Sequence, residues 1–159
     1  MTDQSNDTAA LRDLLDKVRF VMLTTIEAEG GALVSRPMTV QEVDEQWVVR
    51  LICQADNKVA AEADGHQVNL ASMDGTRYVS LSGTGRVERD LAKKRELWDR
   101  LTEAYAGDAE DPNNVILEVQ VAGAEYWDGG NPIVQLAGLA KAALTGERPE
   151  GGDHQTVSL

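Results

Sequence analysis

Two cations are placed where they could hold a phosphate. Arg36 lies inside the stretch Val34 to Val40, flanked by Ser35, Pro37 and Met38. Lys58 follows Asp56 and Asn57 at what reads as the start of a short helix, Asn57 to Ala63, capped by Asp56. A helix start presents free N–H groups and a positive end. A planar guanidinium suits two-point contact with phosphate oxygens. Arg36 and Lys58 together would grip such a group. As residues alone, each is more readily a solvated side chain, and Arg36 could equally face one of the 27 Asp and Glu residues.

The elements around this pair read as hairpin-linked strands. After a polar start, 1–7, expected to be disordered, Thr8 is placed to cap a helix running to about Val18, with Leu11, Leu14, Leu15 and Val18 on one stripe. Arg19 to Ile26 is an apolar, β-branched strand, and Glu27 to Gly31 turns the chain into the strand carrying Arg36. Pro37 offers no N–H, so it belongs on an edge or beside a bulge. Trp47 to Cys53 alternates, with Trp47, Val49, Leu51 and Cys53 on one face and Val48, Arg50 and Ile52 on the other. Gln67 to Ser72, Arg77 to Glu88 and Val115 to Val121 (extended towards Trp127) complete six strands. On the second of these three, Tyr78, Ser80, Ser82 and Thr84 share a face, and Gly83 and Gly85 suggest a bulge. Asp90 caps a helix from Leu91 to about Tyr105; a last helix spans 133–145, and 147–159 is expected to be loose. Helices that do not alternate with strands argue for an antiparallel barrel with packed helices, not a doubly wound sheet.

Composition narrows the function classes. A chain of 159 residues is a single domain, 1–159, with room for one core. The net charge of −12 opposes nucleic acid and anionic membrane as partners. Cys53 is the single cysteine, so no intrachain disulfide forms. His66 and His154 are far apart and lack metal-ligand spacing, and no Ser-His-Asp arrangement stands out, so no metal and no catalytic acid or base is assigned. The N-terminus lacks the basic start and apolar core of a signal peptide, and no run is long enough to span a membrane; the expectation is a cytoplasmic protein.

The order Ser35-Arg36-Pro37-Met38, hairpin, Trp-led strand and Lys58 resembles the pyridoxamine-phosphate-oxidase-like flavoproteins, in particular their general stress protein 26 branch. Val68-Asn69-Leu70, Arg77 to Gly83, Ala124 to Asp128, Val134-Gln135-Leu136 and Lys141 to Pro149 extend the likeness. The resemblance implies a mainly β (α+β) fold, a six-stranded antiparallel split β-barrel with peripheral helices, and a homodimer with FMN at the subunit interface. It implies a cofactor site of Arg36, Pro37, Met38, Leu51, Ile52, Asn57, Lys58, Tyr78 and Trp127. Ile52 replaces a residue whose hydroxyl commonly bonds the cofactor, and Arg50 either adds a second phosphate cation or obstructs the pocket. Gln41 stands where true oxidases carry a lysine, which argues against vitamin B6 oxidation. The expected role is a flavin-dependent oxidoreductase acting on a small molecule. The alternatives are a non-catalytic module that stores or senses flavin, and the same fold holding a deazaflavin or a haem-like ligand.

Overall fold

The structure is a computed structural model, and it describes residues 2–130, 141–146 and 153–159. The first helix, α1, spans Thr2–Leu15, and the strands that follow are β1 (Phe20–Ile26), β2 (Leu33–Val43) and β3 (Val48–Gln54). Helix α2 (Lys58–Ala63) leads to β4 (Gln67–Asp74) and β5 (Arg77–Glu88). Helices α3 (Leu91–Leu97) and α4 (Arg100–Ala106) precede β6 (Asn114–Asp128), and β7 (Asp153–Ser158) ends the chain. Every ladder is antiparallel in the order β3-β2-β1-β4-β5-β6-β7, and a further β3–β6 pairing closes β1 to β6 into a six-stranded barrel. The expected split barrel with peripheral helices is the fold observed.

Closure depends on the length of β6. Its first half pairs with β3 (Asn114 to Gln120 against Gln54 to Val48) while its second half pairs with β7 (Gly123 to Asp128 against Ser158 to Asp153). β5 runs along both halves, with a register shift between Ser82 and Gly83. The alternation read from the sequence fills the barrel: Val21, Leu23, Val49, Leu51, Leu70, Leu81, Leu117 and Val119 are all buried in one core. Helix α1 adds Leu11, Leu14 and Leu15 to that core, and α2 adds Val59, Ala60 and Ala63. Ile52 and Ile116 face outward under Leu97 and Trp98, so α3 and α4 cover that side.

Several boundaries differ from expectation. The segment 1–7 is not a loose tail from residue 2 onward, because α1 begins at Thr2 and Thr8 lies in its interior. Asn57, not Asp56, caps α2, its side chain accepting from the Val59 N–H. The expected helix from Leu91 to Tyr105 is two helices. Asp99 takes the Thr102 N–H at 2.8 Å, capping α4 and breaking the apolar stripe, so Leu101 and Tyr105 point outward. The expected loose end at 147–159 contains β7, whose Val157 is buried against β6. The expected helix 133–145 lies outside the described residues for 133–140, and residues 141–145 are helical. No described helix is long and apolar enough to cross a membrane.

One exterior face of the barrel is unusual for so acidic a chain. The outward positions of β1 (Phe20 to Ile26), β2 (Leu33 to Thr39), β4 (Gln67 to Met73) and β5 (Tyr78 to Thr84) carry no charged residue. Phe20 is 62% exposed there, Leu33 72% and Met73 69%.

Candidate functional site

The site follows from where β2 and β3 stop pairing. Their register holds at Val43–Val49, Glu42–Arg50 and Val40–Leu51, with an irregularity between Val40 and Glu42. The extra residue is Gln41. A bulge re-aims the side chain it carries; here Gln41 donates to the Tyr105 hydroxyl at 3.1 Å and accepts from Thr102 Oγ1 at 3.1 Å. Beyond Val40 and Leu51 the strands diverge: Arg36 to Thr39 stays on β1, and Ile52 to Gln54 stays on β6. Their facing edges bound a cleft of about 390 Å³, walled by Val59, Tyr105, Ala106 and Asn114. Pro37 sits on this open edge, where its missing N–H breaks no ladder to β3.

Arg36, Pro37, Met38, Ile52 and Asn57 all line the cleft. Leu51 does not: it is fully buried in the barrel core and marks where the strands part. Lys58 lies one face round α2, in a neighbouring depression with Glu27, Glu29 and Glu62. Tyr78 and Trp127 pair with each other on the outer face of β5 and β6, and Trp127 stacks on His154 with centroids 4.8 Å apart. The structure therefore gathers five of the nine expected residues within one subunit.

Arg36 has a partner that sequence reasoning did not name. Its Nη1 donates to Thr25 Oγ1 at 2.7 Å and lies 3.0 Å from Glu62 Oε2. Thr25 in turn donates to Glu62 Oε2 at 2.7 Å. Thr25 is fully buried and the Glu62 side chain is 6% exposed, while Arg36 keeps 24% exposure. The Thr25 hydroxyl, and then the charges of Arg36 and Lys58, hold the Glu62 carboxyl below its ordinary range against the opposing effect of burial. The Nε–Nη2 edge of the guanidinium makes no hydrogen bond among the described residues. A signal for Glu62 existed in its spacing: four residues after Lys58, it shares that residue's face of α2.

Arg50 neither adds a phosphate cation nor obstructs the cleft. It is bound to Glu42 at 2.6 Å, Asp44 at 2.8 Å and Glu118 at 3.3 Å. Burial works against its charge, but the hydrogen bonds to Asp44 and Glu42 outweigh that and raise its pKa. Cys53 borders the cleft yet is buried, and burial pushes its thiol up to about 11, so it is not a nucleophile at neutral pH.

The chain matches the family described as pyridoxamine 5'-phosphate oxidase like over residues 6–150. It belongs to that family. Among solved structures, a general stress protein 26 from Jannaschia sp. CCS1 is similar over 98% of this chain and 99% of that one, at 25% identity and a TM-score of 0.75. The general stress FMN/FAD binding protein from Xanthomonas citri is 30% identical, covering 71% of this chain and 82% of its own, at a TM-score of 0.61. The F420H(2)-dependent biliverdin reductase of Mycobacterium tuberculosis (strain CDC 1551 / Oshkosh) is 28% identical over 122 residues, 73% of this chain and 88% of that protein. The pyridoxamine-phosphate-oxidase-like family and its general stress protein 26 neighbours are thus the ones the sequence resembles.

Proposed function

We propose that this chain binds FMN in the β2–β3 cleft of a homodimer and uses it as an oxidoreductase towards a small molecule other than a vitamin B6 phosphate. The observation that carries the reading is the parting of β2 and β3 beside a guanidinium with one open edge. A flat, polar-rimmed ring needs a slot with apolar walls and backbone groups along its sides. Met38, Ile52 and Val59 supply apolar walls, and the unpaired strand edges supply the backbone groups. The open edge of Arg36 suits two phosphate oxygens. Asn57 can donate its side-chain amide from the same rim, while Lys58 adds positive charge from across α2. A bound flavin supplies hydride or electron transfer, and this chain's residues hold and orient it and exclude water.

Tyr78 and Trp127 are part of this proposal only through a second copy, because both face outward from their own subunit. The uncharged outer face of β2, β1, β4 and β5 is the surface on which that copy would sit. A cytoplasmic location stays part of the proposal and rests on composition alone.

Removing the phosphate contact should separate two flavins. A charge-assisted hydrogen bond is worth roughly 1.5–3 kcal/mol, so Arg36→Ala should weaken FMN about tenfold or more and leave riboflavin nearly unchanged. Fluorescence titration of both ligands measures this. Equal affinity of the wild type for the two would remove the phosphate grip.

Oxidation of pyridoxine phosphate under oxygen should be slow or absent in FMN-loaded protein. Such a substrate brings its own phosphate and needs a second basic pocket. Gln41 holds the place of the oxidases' lysine and is engaged by Tyr105 and Thr102. Of the late cations, Lys141 is exposed on the helical residues 141–145, and Arg148 lies outside the described residues. Turnover of about 1 per second or faster would overturn this reading.

A second reading keeps the site and changes the ligand to a deazaflavin. It is favoured by the relative named as F420H(2)-dependent. A non-catalytic flavin store or sensor, and a haem-like ligand in the same fold, are the remaining alternatives. The visible spectrum of the purified protein, with identification of the released chromophore, separates the ligands. Turnover with NAD(P)H separates an enzyme from a store.

A further inference from the structure

The Arg36 guanidinium is pinned on one side only. Nη1 meets Thr25 at 2.7 Å and Glu62 at 3.0 Å, the opposite edge makes no hydrogen bond among the described residues, and Arg36 lines the cleft. Glu62 is also four residues from Lys58 on the same helix, so one carboxylate stands beside both candidate cations. Glu27 and Glu29 line the depression that holds Lys58.

We propose that Glu62 is the residue that sets both the aim and the strength of the anion site, holding the Arg36 fork towards the cleft while cancelling part of its charge. The inference rests on the reading of Arg36 as the phosphate ligand. The two effects act in opposite directions. Pinning Nη1 to a buried carboxylate fixes the plane of the fork, so a phosphate ester meets Nε and Nη2 without further ordering. The same carboxylate is a negative charge a few ångströms behind the fork, and it repels an incoming anion. The wild-type site is therefore well aimed and deliberately weak, and it discriminates against dianionic ends more than against singly charged ones.

Replacing the carboxylate by its amide separates aim from charge. Glu62→Gln keeps an acceptor for Thr25 and Arg36 and removes the negative charge. Glu62→Ala removes both. The measured quantity is the ratio of riboflavin to FMN dissociation constants, which isolates the phosphate from the ring, with circular dichroism confirming the fold of each variant. Glu62→Gln should raise that ratio about tenfold, the order expected for one screened unit charge. Glu62→Ala should raise it less, because the fork is no longer held. A ratio in Glu62→Gln at or below wild type, with Arg36→Ala still weakening FMN selectively, overturns the role of Glu62 and leaves the cofactor reading standing. An alanine variant that equals or exceeds the glutamine variant overturns the aiming role. If Arg36→Ala leaves the ratio unchanged, the cofactor reading fails and this inference falls with it.

Discussion

Gly85→Ala is expected to destabilise the protein by about 3 kcal/mol or more, although it adds a single methyl group. A Cβ at Gly85 would lie 2.4 Å from the Ala63 carbonyl oxygen and 3.2 Å from the Ala63 Cβ. Backbone cannot rotate away as a side-chain tip can, so either β5 or the end of α2 must move. Neither is free to do so. The Gly85 N–H donates to His66 O at 3.0 Å, and its carbonyl accepts from Gly65 at 2.9 Å. Asp64 also ties down the same strand, its side chain accepting from the Val87 N–H at 2.9 Å. The same crossing carries the candidate site, since Ala63 adjoins Glu62. Flavin affinity should therefore fall in any fraction of the variant that still folds. Gly123→Ala is the control, because its Cβ would meet only Val157 O at 3.7 Å, an ordinary contact. Urea denaturation of the two variants and the wild type makes the comparison. A Gly85→Ala midpoint close to that of Gly123→Ala would refute the close approach.

What could be read in advance depended on whether a residue's role was local. The span Arg77–Glu88 was legible to the residue, because Tyr78, Ser80 and Ser82 alternate with the buried Val79, Leu81 and Gly83. The order of strands and helices pointed to an antiparallel barrel, and the resemblance sharpened it to a six-stranded split barrel. Arg36 stood out as a cation beside a proline in a strand, and the resemblance gave it the phosphate role. Glu62 was not found, since a helix carboxylate and a strand arginine 26 positions earlier become partners only when α2 packs against the barrel at β1, beside β2. Strand β7 escaped for a related reason. Its segment holds one buried apolar residue, Val157, and its order comes from backbone bonds to β6, which composition does not reveal. The helix break at Asp99 had a local signal, an aspartate three residues before Thr102, but the apolar spacing around it pointed to a continuous helix. Lys58 was placed correctly at a helix start, yet a one-residue step round α2 moved it out of the cleft. Periodicity gives an element's existence more securely than its angular setting.

Met22→Asp should leave the chain monomeric at micromolar concentration where the proposed homodimer forms in the wild type, raising the dissociation constant by about a hundredfold or more. Met22 lies on the outer side of β1, opposite Pro37 on β2 and Ala71 on β4, and is 42% exposed in the single subunit. Around it the outward positions of four adjacent strands carry no charge, while Phe20, Ile26, Leu33 and Met73 are each more than half exposed. Proteins with many carboxylates ordinarily place some of them on an open sheet face, and an uncharged exterior that exposes several large apolar side chains marks a surface that is covered in use. If a second copy covers it by two-fold symmetry, each substitution enters the interface twice. A carboxylate left there without a partner then costs several kcal/mol of association. The fold itself should survive, because the new side chain points to solvent in the monomer and disturbs no core contact. Flavin binding should weaken in the monomer, since Tyr78 and Trp127 would no longer reach a ligand held by the other subunit. Light scattering, circular dichroism and FMN titration on the same samples separate these effects. A wild type that is monomeric at micromolar concentration with flavin still bound, or a Met22→Asp variant that remains dimeric, would defeat the argument for this face.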